Sequence, residues 1–376
     1  MKKKQIKFLT YKRLREMVKK NNLNYLLLVG QRSNGKSFAV KEECLRHYLE
    51  TGKEFFYIRR YDDDIKDFLV EQYLSDLEVL VDQDTGEVIR RPIYELTNGN
   101  YDTISVFRKN IYLARTDENG KIVRGDKIGH VWSVNKEERL KSQIFNNVDR
   151  IIFEEFITSG SYILNEPVRF ASLISTILRL RQGVIYMVGN TLSRIVPYYS
   201  AWNLQGTSKQ KQGSMQCYEF KSGDSMVRVG VYLCEELNVK SSMYLGSAEA
   251  SITKGYYHAD YQSKLEMPIE DYDVIYSVVF IFDNHGFLMQ LLRAKYEESY
   301  YTWYVQPKNT PPQKGSRIIT DTYSANPMVS HTFRDALSKE EAVAFDLLRL
   351  KKVAFSDDLT GTEFKQCYQM LEHMPL

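Results

Sequence analysis

The stretch Gly30-Gln31-Arg32-Ser33-Asn34-Gly35-Lys36-Ser37 is the part of the chain best equipped for chemistry. It has the spacing G-x-x-x-x-G-K-S of a phosphate loop. Its glycines let the backbone curl so that several N–H groups face one concave surface. The helix that follows adds the positive end of its dipole. Lys36 would bring a charge to the β and γ phosphates of ATP, and the Ser37 hydroxyl would ligate Mg2+. NYLLLVG (24–30) before the loop is strand-like, and SFAVKEECLRHYLETG after it has helical spacing that stops at Gly52. That context separates a real loop from a chance match, and all of residues 30–37 are expected to line the nucleotide.

A phosphate loop needs a carboxylate at the tip of a second buried strand. DRIIFEEF (149–156) offers two, Glu154 and Glu155. Glu154 would hold the metal and Glu155 would polarise the attacking water. The plainer alternative is an exposed acidic pair. Aspartate is usual in the first position, so the longer Glu154 implies a less direct metal contact. GVIYMVGN (183–190) ends in Asn190, either a turn residue or a sensor of the γ-phosphate. Arg179 and Arg181 end the helical stretch just before it. They read either as partners of the helix dipole or as a finger reaching a neighbouring subunit's nucleotide from the carboxyl edge of the sheet. NKEE (135–138) lacks the aspartate of a guanine-reading motif and precedes the carboxylate strand. Small-molecule kinases usually lack the second acid. These residues therefore favour a hydrolysing ATPase.

The elements that must position these groups alternate along the first half of the chain. Near-continuous apolar runs at 24–30, 54–61, 149–156 and 183–190 suit strands buried on both faces, hence a mostly parallel sheet in an α/β fold. Residues 86–134 alternate polar and apolar around TNGN and DENG, which predicts a β-hairpin insertion. QGTSKQKQGS (205–214) has no apolar residue and marks the expected boundary: 1–204 the nucleotide domain, 205–245 a linker region, 246–376 a smaller α+β domain. Beyond it SMVRVGVYL and DVIYSVVFIFDNHGFLMQLLRAKY alternate like antiparallel strands, and two helical segments close the chain.

Composition narrows the setting. Across 376 residues the net charge is only +3, so any nucleic-acid contact must come from local patches. The N-terminal twenty residues hold nine Lys/Arg, either a solvated basic helix or an arm touching phosphate. Cys44, Cys217, Cys234 and Cys367 are far apart and form no C-x-x-C pair, which argues against a zinc site or disulfide framework. No apolar run approaches the ~18 residues of a membrane span, and MKKKQIKFLT lacks the apolar core of a signal peptide. A soluble cytoplasmic protein is expected.

Taken together the motifs resemble the DNA-packaging ATPases of small protein-primed podoviruses, the Picovirinae type. The phosphate loop is followed by YIRRY (57–61), FEEFI (153–157), the pair Arg179 and Arg181, and NTLSRIVPYY (190–199), in the order and spacing of that family over residues 24–200. The resemblance implies an additional-strand (ASCE) P-loop ATPase domain and a homo-oligomeric ring, most simply a pentamer. Such a ring docks on the portal of an empty prohead in the host cytoplasm, drives double-stranded DNA inward, and is not part of the mature virion. It leaves a scaffold RNA open as a further partner. By the same resemblance Lys141 acts across the subunit interface beside the arginine finger, and the C-terminal domain is a degenerate RNase H-like one. Asp283, Asp321, Asp357 and Asp358 are too scattered for a nuclease cluster, so no nuclease activity is expected. The rivals are another P-loop translocase, a helicase or terminase-type motor with a live nuclease, and a nucleotide-binding adaptor that does not hydrolyse.

Overall fold

The computed structural model describes residues 8–82, 85–158, 162–207, 210–223, 225–235, 261–282, 285–297, 299–308, 310–311, 316–322, 324–334 and 338–372. The first unit is built on strands β1 (Tyr25–Gly30) and β2 (Glu54–Arg59), with helix α1 (Tyr11–Asn21) before them and α2 (Lys36–Thr51) between. Helix α3 (Asp67–Leu74) follows, then a short ribbon of β3 (Leu80–Val81) and β4 (Val88–Arg90), and helix α4 (Pro92–Leu96). Next come β5 (Thr103–Phe107), β6 (Asn110–Thr116), β7 (Ile122–Ser133), β8 (Val148–Glu154), helix α5 (Glu166–Leu178), β9 (Val184–Asn190) and helix α6 (Pro197–Ala201). Strands β10 (Met215–Ser222) and β11 (Ser225–Leu233) complete one nine-stranded sheet, ordered β10-β11-β1-β9-β8-β2-β7-β6-β5.

The six central strands, β11, β1, β9, β8, β2 and β7, run parallel, and the near-continuous apolar runs of β1, β2, β8 and β9 fill the middle of the sheet, where both faces are covered. Leu26 and Leu28 of β1 pack into the layer under α1 and α2, while Leu27 and Val29 face the layer of α5 and α6. The antiparallel β5–β6–β7 insertion forms one edge. Its outermost strand is covered: Ile104 N–H donates to Glu78 at 2.9 Å and Val106 N–H to Glu71 at 2.7 Å. Those carboxylates occupy donors that would otherwise template pairing with another chain. DENG makes the β6–β7 turn, with Asp117 accepting from Asn119 N–H at 2.9 Å and Lys121 N–H at 2.8 Å. TNGN does not make a hairpin. It ends α4, with Asn98 and Gly99 at positive φ, and the β5–β6 turn is made instead by Arg108 and Lys109.

The sheet also moves the expected boundary. Residues 205–245, read as a linker, contain β10 and β11, and SMVRVGVYL pairs parallel with β1 (Leu27 opposite Val231) and antiparallel only with β10. The reason is apolar burial: Val229, Val231 and Leu233 are packed in the α5-side core. The polar stretch that suggests a boundary thus precedes β10 inside the first unit, which closes near Cys234.

The second unit is a six-stranded sheet, β16-β15-β12-β13-β14-β17. Its strands are β12 (Tyr272–Phe282), β13 (His285–Ala294), β14 (Tyr301–Pro307), β15 (Arg317–Thr320), β16 (Val329–Ser330) and β17 (Val353–Phe355). The first three are antiparallel, β15 is parallel to β12, and β17 is parallel to β14. Helices α7 (Lys339–Arg349) and α8 (Asp358–Glu372) pack Phe345 and Phe364 into one core with Phe280 and Trp303 of the sheet. The units touch through the segment after β9. Ser193 Oγ donates to Gln366 of α8 at 2.6 Å, Arg194 lies 3.7 Å from Glu363, and Ile195 is buried in the second core.

A fragment ending at residue 204 would strip β10 and β11 from β1 and expose that apolar layer. It is expected to aggregate or lack a cooperative melt, whereas a fragment ending at 235 stays soluble and melts cooperatively. Size-exclusion chromatography and circular dichroism decide this, and a well-folded 1–204 fragment would restore the boundary at 204.

Candidate nucleotide site

Parallel strands bring their carboxyl ends to one edge, and there the pairing of Gly30 with Asn190 and of Glu154 with Val188 gathers the phosphate loop, Asn190 and Glu154. Gly35 holds φ at +84° as the N-cap of α2, a conformation that suits glycine. A Cβ on Gly30 would meet Asn34 Nδ2 at 2.6 Å and Cys234 Cβ at 2.8 Å, so the loop's first position is closed to side chains. Gln31 and Asn34 are buried, while Arg32 and Ser33 face solvent.

Lys36 is buried, and its Nζ donates to Gly30 O (3.1 Å), Gln31 O (2.7 Å), Asn34 Oδ1 (3.0 Å) and Asn190 Oδ1 (3.3 Å). Burial pushes the ammonium's pKa down, against the favourable charge of Glu154. Ser37 Oγ donates to Glu154 Oε1, and Tyr73 Oη donates to Oε2 at 3.0 Å. Burial drives the Glu154 carboxyl above its usual range, with the Ser37 hydrogen bond and the Lys41 charge pulling the other way. A hydroxyl and a carboxylate in contact are hard oxygen donors of the kind Mg2+ takes, so these two residues fit a magnesium site.

Glu155 is placed differently. It has φ +58°, and its carboxylate accepts from Arg59 Nη2 at 2.6 Å. Arg60, next in the chain, clamps the backbone instead: Nη1 donates to Glu155 O at 3.0 Å and Nη2 to Phe156 O at 2.9 Å. Arg60 in turn forks onto buried Glu166, with Nε–Oε2 2.7 Å and Nη2–Oε1 3.0 Å, and Tyr198 Oη donates to the same carboxylate at 3.0 Å. Two adjacent arginines thus hold both the side chain and the main chain of Glu155. Charged residues at the tip of an otherwise apolar strand, Arg59 and Arg60 in YIRRY, are the readable sign of this. Tyr73 and Glu166 leave none.

Arg179 is not at the carboxyl edge. Helix α5 precedes β9, so its end lies where β9 begins, at the amino edge away from the phosphate loop. Arg179 Nη2 donates to Gln143 O at 2.7 Å, and Arg181 Nη2 donates to Phe145 O and to Ile177 O at 2.9 Å, all before β8 or before β9. Arg181 serves as a backbone clamp. Arg179 is exposed, as is Lys141, which pairs with Glu138 at 2.7 Å on the connection leading to β8. Neither residue lies beside its own chain's loop.

This arrangement defines a P-loop α/β fold with strands added on both sides of the loop-bearing strand. Residues 6–94 match the family model of the podovirus DNA encapsidation protein (Gp16), so comparison finds the same family that the motifs resemble. The DNA packaging proteins of Bacillus phages PZA and phi29 are each 28% identical over 186 residues, 48% of this chain and 46% of theirs. The match thus spans about half the length of the curated relatives. Among solved structures, the phi29 genome packaging motor assembly overlays with a TM-score of 0.48 at 15% identity, covering 97% of this chain and 99% of that one. The large terminase of a thermophilic bacteriophage overlays at 0.38 and 10%, covering 94% and 82%.

Arg60→Ala would leave Glu166 a buried carboxylate without its cation. The expected loss is about 3–5 kcal/mol of stability, read as a large fall in the thermal midpoint. A loss within about 0.5 kcal/mol, the range of an ordinary surface change, would show that the clamp is idle.

Proposed function

We propose that the chain is the ATPase subunit of a viral DNA-packaging motor. The observation behind this is the meeting of Lys36 with Asn190 and of Ser37 with Glu154 at one sheet edge. Lys36 and the loop bind the β and γ phosphates of ATP, Ser37 and Glu154 hold Mg2+, and Asn190 registers the γ-phosphate. When bound, Mg2+ offsets the charge that builds on the phosphates. Glu155 orients the attacking water, and to reach it its carboxylate must leave Arg59. The names of the phage relatives support DNA packaging as the setting. The reading includes duplex DNA and the prohead portal as partners, a ring of like subunits, most simply a pentamer, and work in the host cytoplasm. It leaves a scaffold RNA open.

Arg179 and Lys141 sit away from their own loop, so they serve a neighbour's nucleotide or none. Arg181, committed to backbone carbonyls, is set aside as a finger. No helix among the described residues is long and apolar enough to cross a membrane. The RNase H-like reading of the second unit rests on three antiparallel strands with β15 parallel to β12. Asp357 caps Thr360 and Asp358 pairs with Lys264 at 2.8 Å, while Asp283 lies outside the described residues.

Lys36→Ala should abolish ATP binding or turnover, and Glu155→Gln should bind ATP without hydrolysing it. Near-normal turnover in the lysine variant would remove the phosphate-loop assignment. If Glu154→Gln gives the bind-without-hydrolysis phenotype while Glu155→Gln works, the two glutamate roles are reversed.

A finger acting across subunits contributes roughly 10³–10⁵ in rate in related phosphoryl transfers. Arg179→Ala and Lys36→Ala, each inactive alone, should regain ATPase activity on mixing, since one supplies the finger and the other the pocket. Mixed rings that form but stay inactive would make Lys141 the better candidate.

A further inference from the structure

The terminal phosphates and the nucleoside of a bound nucleotide must leave the loop in opposite directions. Asn190 of β9 and Glu154 of β8 fix the terminal-phosphate side, because both strands lie on one flank of β1. The nucleoside is therefore directed to the other flank, toward β11. There the chain before α1 returns over the loop: Leu9 N–H donates to Asn34 O at 3.2 Å, and Phe8 packs against Gly35 while its side chain stays exposed. From α1, Arg13 reaches the end of β11. Its guanidinium lies over the Tyr232 ring at 5.2 Å from the centroid and pairs with Glu235 at 3.2 Å, yet the side chain remains 41% exposed. The hollow bounded by these residues holds only about 20 Å3, so a ligand lies across its mouth rather than inside it.

We propose that Phe8 and Arg13 form the subsite for the flat heteroaromatic base of the nucleotide, with Tyr232 and Glu235 holding the guanidinium plane in position. An exposed ring and a planar cation held from behind are surfaces on which a base stacks. The segment that sequence patterning assigns to a linker thus supplies one wall of the site through β11. This subsite rests on the nucleotide reading above and extends it to the end of the ligand that the phosphate loop cannot recognise.

The test compares two probes on the full chain with Mg2+ present: ATP, which has a base, and inorganic tripolyphosphate, which has none. Calorimetry or competition yields both affinities for the wild type, Phe8→Ala, Arg13→Ala and the milder Arg13→Gln. The expected result is a loss of about threefold to tenfold in ATP affinity in each variant, with tripolyphosphate binding unchanged. Unchanged ATP affinity in the variants overturns the subsite. So does an equal loss for both probes, which would mark damage to the loop, or wild-type binding of ATP no tighter than tripolyphosphate. A wild type that binds neither probe removes the nucleotide reading itself, and circular dichroism confirms that each variant is folded.

Discussion

A buried ammonium group is costly unless oxygen atoms surround it, and much of the first unit is arranged around that requirement at Lys36. Two loop carbonyls, the Asn34 amide and the Asn190 amide supply the oxygens. For them to converge, the loop must curl tightly, which excludes a side chain at Gly30 and needs positive φ at Gly35. Asn190 can take part only because β9 is the direct neighbour of β1. β11 closes the opposite side, with Cys234 N–H donating to Val29 O at 2.7 Å and its side chain resting against Gly30. Strand order, glycine placement and the two asparagines are thus parts of one solution for holding a charge out of water.

Much of this is legible from residue types. A fixed motif spacing, apolar strand runs and polar strand tips point to the loop, to Glu154 and to Asn190, because each signal is local in sequence. Position relative to the sheet is not local, and there residue types mislead. They suggest the carboxyl edge for Arg179, although a helix leading into a parallel strand must end at the amino edge. The role of 215–233 is hidden because a polar connection, 205–214, looks alike whether it joins two domains or two elements of one. Burial of Val229, Val231 and Leu233 settles which, and burial is a property of the folded chain.

The second unit is less readable for a related reason. Its hairpin, β12 with β13, has clear alternation, but β15 and β17 are only four and three residues long and pair across long sequence separations. Its core depends on aromatic side chains from strands and helices alike, among them Trp303, whose Nε1–H donates to Ala344 O at 2.7 Å. Arg317 and Glu341 form an ion pair 3.1 Å apart that is buried on both sides, and Tyr276 donates to the same carboxylate. Such a pair contributes through mutual satisfaction, not through patterning, and nothing in the order of residues announces it.

The short stretch after β9 links these two halves in a way that neither core would suggest. Asn190 touches the lysine of the loop, while Ser193, Arg194 and Ile195, a few positions later, are fastened to α8 and the core beneath it. Only Thr191 and Leu192 separate these anchors, and Leu192 N–H folds back onto Asn190 O at 2.8 Å. Whatever rearranges the oxygens around Lys36 therefore acts with only two residues between it and the side chains that grip a helix of the other unit. The first displacement in the C-terminal half should be a tilt of α8, not a swing about a loose hinge.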